Sequence, residues 1–227
     1  MKIGGSLLIF LDYLINLSIF SLLVSTPLII RSFINHKPLK QLPVWAALYA
    51  GLVSSVLVSL SFQLNGFTYD IRYAILILVF AYLGPAAGSI TGAFIIVSRL
   101  IASENWLPAI TGWLIIMVSF TLLHRRYLNA APIKRTIILT ASYICIYTVT
   151  VPLIFNVFRN DPVFHLQYLL FIVLGVTIGG LQIESYEKLY RTISGKKKVE
   201  KTLEESEAKY RLIAENTSDL IMVVDKD

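Results

Sequence analysis

Cysteine is almost missing from this chain. Cys145 is the single one in 227 residues, which excludes an intrachain disulfide framework and a cysteine-based metal site. Histidine is scarce too: His36, His124 and His165 stand far apart, without the spacing of a metal-ligand set. Acidic residues are also few before Glu184, where only Asp12, Asp70, Glu104 and Asp161 face eleven lysines and arginines. No glycine-rich phosphate loop occurs, and no histidine stands in a kinase phosphoacceptor setting, so the chain carries no catalytic constellation. A cleavable signal peptide is not evident, because the first apolar run is too long and lacks a small-residue cleavage site.

What is abundant is apolar sequence. Hydrophobic residues make up 56% of the chain and mean hydropathy is +0.71, above the roughly 45–50% apolar content of a soluble domain. Apolar runs near Leu7–Ile30, Val44–Leu64, Leu107–Leu123, Ile137–Phe158 and Gln167–Ile183 come close to the ~20 residues that cross ~30 Å of hydrocarbon. Ile71–Ile101 is too long for one straight span, at roughly 46 Å, and Gly84-Pro85 interrupts it near the middle. The polar joints at Arg31–Pro43 and His124–Thr136 are basic, so both are expected on the cytoplasmic side. An even number of crossings must then separate them. Ile71–Ile101 therefore contributes either two short spans or a re-entrant hairpin. The expected fold is an all-α polytopic membrane bundle of six to seven spans, with the N-terminus outside and the C-terminus in the cytoplasm. The +6 net charge comes from this part, and it suggests loops facing an anionic leaflet rather than nucleic-acid binding.

Small residues recur four apart at Gly84, Gly88 and Gly92, and again at Gly175 and Gly179. Such faces let helices approach closely in lipid; packing within one bundle is the simpler reading, a homodimer contact through Gly175 and Gly179 the other. Trp45, Trp106 and Trp113 are read as interfacial aromatics, Pro27 and Pro152 as kinks, His124 as headgroup-facing and Cys145 as a buried small apolar residue.

Two arginines stand out because charge at bilayer depth is costly and marks a site or a partner. Arg99 is embedded in I-I-V-S-R-L-I, and Arg72 opens the preceding half of the broken segment. Both topologies bring them to the same outer face, where two guanidinium forks would suit a small carboxylate. Alternatively, Arg72 pairs with Asp70 and Arg99 with Glu104, and Asp70 and Asn65 serve as turn or capping residues. Candidate ligand-binding residues are therefore Arg72, Arg99, Asp70, Glu104 and Asn65.

After Glu184 the composition changes to a charged helical stretch. Val199, Leu203, Ser206, Tyr210 and Ile213 step by four, three, four and three, the seam of a coiled coil. Leu189 and Ile193 follow a different phase, with Gly195-Lys-Lys-Lys between the two. A solvated linker without a partner is the plainer alternative.

The order N-G-F-T-Y-D-I-R, then G-P-A-A-G, then the arginine of I-I-V-S-R-L-I resembles the LytS/YhcK-type five-transmembrane receptor region over roughly residues 40–185. The stretch E-A-K-Y-R-L-I-A-E-N-T-S-D-L-I-M-V-V-D-K-D resembles the opening of a PAS domain, with a helix over Tyr210–Glu215 and a first strand over Leu220–Val224. These resemblances imply a sensory input module of a bacterial inner-membrane protein, organised as a bundle (1–183), a signalling helix (184–209) and the start of a PAS domain (210–227). They imply Gly84, Pro85 and Gly88 as a structural motif, while the four-three spacing of the stalk suggests a homodimer. They also imply an output beyond Asp227: a histidine kinase using ATP and magnesium and a response regulator, or a diguanylate cyclase. A small-solute carrier is the rival of another class, since a broken helix beside a charged site also suits transport.

Overall fold

The computed structural model describes residues 3–33, 42–64, 67–102, 106–157 and 162–224, with side chains for 10–30, 43–61, 69–102, 106–157 and 162–215. The chain divides into two compact units, Met1–Ile183 and Glu184–Asp227.

The first unit is a helical bundle. Its elements run α1 (Ile3–Phe33), α2 (Leu42–Ser59), β1 (Phe62–Leu64), β2 (Phe67–Tyr69), α3 (Arg72–Tyr82), α4 (Pro85–Ala102), α5 (Trp106–Arg126), α6 (Pro132–Thr148), a π-helical turn (Val149–Ile154) and the start of α7 (Pro162–Val224). Among the described residues, five helical stretches are long and apolar enough to cross a membrane: Phe10–Ile30, Pro85–Ala102, Trp106–Arg126, Pro132–Ile154 and the apolar part of α7. The protein is thus a multi-pass, all-α membrane type with one small β-hairpin. That hairpin, in register Phe62↔Tyr69, was not anticipated. The expected six to seven spans reduce to five by length, because α2 is marginal and α3 is short.

The interruption at Gly84-Pro85 is a true break. Leu83 and Gly84 both donate their amides to the Val79 carbonyl, and Gly84 adopts φ 89°. That is the left-handed cap only glycine takes cheaply, and Pro85 then opens α4 where its missing N–H costs nothing. The two halves are unequal, however. α3 has 11 residues and rises only about 16 Å, half the hydrocarbon thickness.

α3 is nonetheless the centre of the bundle, with nine of its eleven residues buried. Around it, Tyr49 donates to the Leu23 carbonyl between α2 and α1 (2.7 Å), and Thr91 donates to the Ala47 carbonyl between α4 and α2 (3.1 Å). Trp113 on α5 donates to the Gly92 carbonyl on α4 (2.9 Å), and Tyr13 on α1 stacks on Phe171 of α7 at 4.9 Å. The glycine faces serve this intrachain packing. A Cβ at Gly88 would strike the Phe80 ring, one at Gly175 would lie 3.1 Å from Ala74 Cβ, and one at Gly179 would lie 2.5 Å from Leu78 Cδ1. Gly175 and Gly179 therefore seat α7 on α3 and α1 within one chain.

Several single-residue expectations change. Trp113 packs inward, whereas Trp45 and Trp106 are exposed as interfacial residues should be. Cys145 lies on the exposed face of α6, and His124 is buried at 5% exposure.

The second unit consists of α7 from Glu184 onward. The strand expected over Leu220–Val224 is instead the end of α7. Physically, a short apolar run fits strand and helix alike, and without a neighbouring strand its amides are satisfied only within a helix. Ion pairs at i,i+4 spacing decorate the helix: Arg191–Glu187 at 3.0 Å, Lys201–Glu205 at 3.8 Å and Arg211–Glu215 at 3.3 Å. Each is exposed and contributes a few tenths of a kcal/mol. Along the heptad seam Val199, Leu203, Tyr210 and Ile213 are all exposed, with Ser206 half-buried.

Candidate anion site

The start of α3 is built around one carboxylate. Asp70 precedes the helix, and its Oδ1 accepts the Arg72 amide at 2.9 Å and meets the Arg72 Nε at 3.2 Å. One oxygen thereby holds both the first turn of the helix and the guanidinium of its first residue. Asp70 and Arg72 are 1% and 4% exposed, so this is a buried pair. The turn and ion-pair alternatives for Asp70 are what the structure contains, and Asp70 is not part of the cavity wall described next.

Arg72 and Arg99 line one cavity with about 110 Å3 of internal space, bounded by α3, α4, α5, α6, the π-helical turn and α7. Arg99 comes from the last turn of α4 and Arg72 from the first turn of α3. Buried Nη1 atoms of both arginines have no hydrogen-bond partner in the protein. Among the described residues, no acidic side chain lines the cavity. The N-terminus of α3 adds the positive end of its dipole at the same place. Guanidinium Nη1 groups without protein acceptors, in a half-dry space of this size, are what a small anion needs.

The rest of the wall is aromatic and partly polar. Tyr143 and Tyr168 share a hydroxyl–hydroxyl hydrogen bond of 2.7 Å across α6 and α7, and Tyr147 bonds His165 Nδ1 at 2.9 Å. Tyr73 lies beneath the Arg72 guanidinium, 5.6 Å from Cζ to ring centroid, a cation–π distance. Thr150 and Val151 enter from the π-helical turn, a widened geometry that often accompanies functional sites. None of these tyrosines was picked out from the sequence. The available signal was Tyr143 and Tyr147 at i,i+4 in an apolar span, polar aromatics that would share one helix face.

Of the remaining candidates, Asn65 and Glu104 lie outside the described residues. Gly84, Pro85 and Gly88 stand at the far end of α3, where they shape the break rather than the cavity. No three or more His, Cys, Asp or Glu gather into a metal-binding group among the described residues. The chain matches no family model, no curated protein and no solved structure.

Proposed function

We propose that this chain is the membrane-embedded input module of a bacterial signal-transduction protein, receiving a small carboxylate in the Arg72–Arg99 cavity. The observation that carries the reading is the pair of buried guanidinium Nη1 atoms without protein partners in one cavity, whose wall holds no acid among the described residues. The route outward is short. Tyr168 of α7 lines the cavity, and α3, which begins there, packs through Ala74 and Leu78 on Gly175 and Gly179 of α7. A ligand shifts such a bundle only by binding one packing better than another, and both α3 and α7 border the space it would fill. The module would sit in the inner membrane with its C-terminus in the cytoplasm. It would act as a homodimer through the Val199–Ile213 seam and feed a PAS domain and a histidine kinase. A diguanylate cyclase is the alternative output. The short, broken α3 beside a charged cavity also favours a carrier, which would move the carboxylate into proteoliposomes; a sensor would only bind it.

The test is a screen of small carboxylates by thermal shift and calorimetry on purified protein, run beside Arg72→Ala and Arg99→Ala. Binding should fall in both variants, and Arg99→Lys should weaken it too, because an ammonium cannot reproduce a bidentate fork. Loss of one partner from a buried charged contact costs on the order of 2–5 kcal/mol, a drop of about thirtyfold or more in affinity. A carboxylate that binds parent and both alanine variants equally would remove the site.

Two further expectations follow from the same reading. Single cysteines introduced along 199–213 should form intermolecular disulfides with maxima at Val199, Leu203, Ser206 and Tyr210; a flat profile would favour the solvated helix. In a background lacking Cys145, an impermeant thiol reagent should label Asn105→Cys in intact cells and spare Asn129→Cys. The reverse pattern would invert the topology.

A further inference from the structure

At the opposite end of α3, about 16 Å along its axis from the arginine cavity, a second group of basic side chains is gathered, with no acid beside it among the described residues. His124, in the last turn of α5, is 5% exposed, and a Cβ on Gly84 would lie 3.6 Å from its Nε2. Arg135, in the first turn of α6, places Nη1 3.4 Å from the same nitrogen. With Nε2 accepting from the guanidinium, the neutral imidazole carries its proton on Nδ1. That Nδ1 and the Arg135 Nε are both buried, and neither completes a hydrogen bond in the protein; the Phe80 main-chain carbonyl lies beside the ring without closing one. The α6 N-terminus has no side-chain cap, so its first amides are also open.

From Ile71 to Ile183 the described residues include no aspartate or glutamate. Arg125, Arg126 and Lys134 are exposed around the pair, which adds positive charge at the rim. This α5–α6 turn lies where two candidate spans end, the depth of phospholipid headgroups. A guanidinium with a buried open Nε, a neutral imidazole N–H, an open helix N-terminus and a basic rim are features that bind phosphate.

We infer that Arg135 and His124, together with the first turn of α6, form a binding site for a phosphate group at the membrane boundary. The site is separate from the arginine cavity and does not rest on its ligand. The phosphate belongs either to an anionic phospholipid headgroup, with its acyl chains along the bundle, or to a soluble phosphate.

The experiment uses the whole chain, purified and stripped of lipid in a neutral detergent. Thermal unfolding is followed against dihexanoyl phosphatidylglycerol, dihexanoyl phosphatidylcholine and inorganic phosphate. Phosphatidylglycerol should raise the unfolding temperature saturably, and Arg135→Gln should weaken its apparent affinity about tenfold or more. Arg126→Gln, at the exposed rim, should weaken it far less. Protection by inorganic phosphate with the same Arg135 dependence identifies a soluble source; protection by phosphatidylglycerol alone identifies a lipid. Should Arg135→Gln fail to fold, Arg135→Lys supplies the reading, since it keeps the charge and loses the fork. Equal protection by phosphatidylcholine, equal affinity of the folded Arg135 variant and the parent, or no protection by either anion would each overturn the site.

Discussion

Replacing Asp70 with alanine should be among the most destabilising single changes in this protein, costing about 3–5 kcal/mol of unfolding free energy. The reason is that one carboxylate oxygen serves two groups at once, the Arg72 amide at 2.9 Å and the Arg72 Nε at 3.2 Å. Its removal leaves a buried cation without its countercharge and the first helical amide without its acceptor. Asp70→Asn, which keeps an acceptor for the amide but not the charge, should fall between. Arg99→Ala should behave differently, because the Arg99 Nη1 has no hydrogen-bond partner in the protein to strand. Its stability should change by less than about 1 kcal/mol while ligand binding is lost. Denaturant unfolding of the three variants in the same detergent measures this ordering. An Asp70→Ala protein as stable as the parent would show that Arg72 finds another partner and that the pair does not organise α3.

A second large effect is expected at Gly88. A Cβ there would overlap the Phe80 ring, which is fully buried and held edge-on against Phe120 with ring centroids 5.4 Å apart. Neither ring can yield without disturbing the α3–α5 contact, so Gly88→Ala should cost about 1–3 kcal/mol, and Gly88→Val more. Gly195 gives the opposite sign. Nothing lies within 4 Å of its Cβ position, and it sits inside α7, so Gly195→Ala should stabilise by about 0.5–1 kcal/mol. Paired thermal denaturation of the two alanine variants tests both directions. Equal stability of Gly88→Ala and the parent would mean that α3 and α4 separate more easily than their packing indicates.

How far the sequence could be read depended on the physics at each place. The break at Gly84-Pro85 was legible because backbone chemistry alone dictates it: a glycine for the left-handed cap, a proline for the first helical position. That the break leaves an 11-residue α3 and an 18-residue α4 was not, since periodicity says little in a segment apolar on every side. Arg72 and Arg99 could be singled out because charge is conspicuous among leucines and isoleucines. The tyrosines that complete the cavity could not, because Tyr143, Tyr147 and Tyr168 meet only through the tertiary packing of α6 and α7. His124 drew a headgroup reading from its arginine neighbours, yet its helical face turns it under Gly84. Leu220–Val224 was read as strand from the likeness of its stretch to the opening of a PAS domain, and within α7 helical hydrogen bonding prevails.

The π-helical turn at Val149–Ile154 has a consequence for how this protein tolerates change in length. Its wide turn, closed by the Phe155 amide on the Thr150 carbonyl at 2.9 Å, accommodates one residue more than an α-helical path would need. Loss of a single residue there is therefore the indel the bundle should absorb most readily, the turn tightening to α-helix while α6 and α7 keep their places. Because Thr150 and Val151 stand in the cavity wall, such a one-codon deletion would redraw the pocket and leave Arg72 and Arg99 in place. It would be a route to a changed ligand preference at little cost to folding, readable as an altered carboxylate profile in a protein of near-parental unfolding temperature.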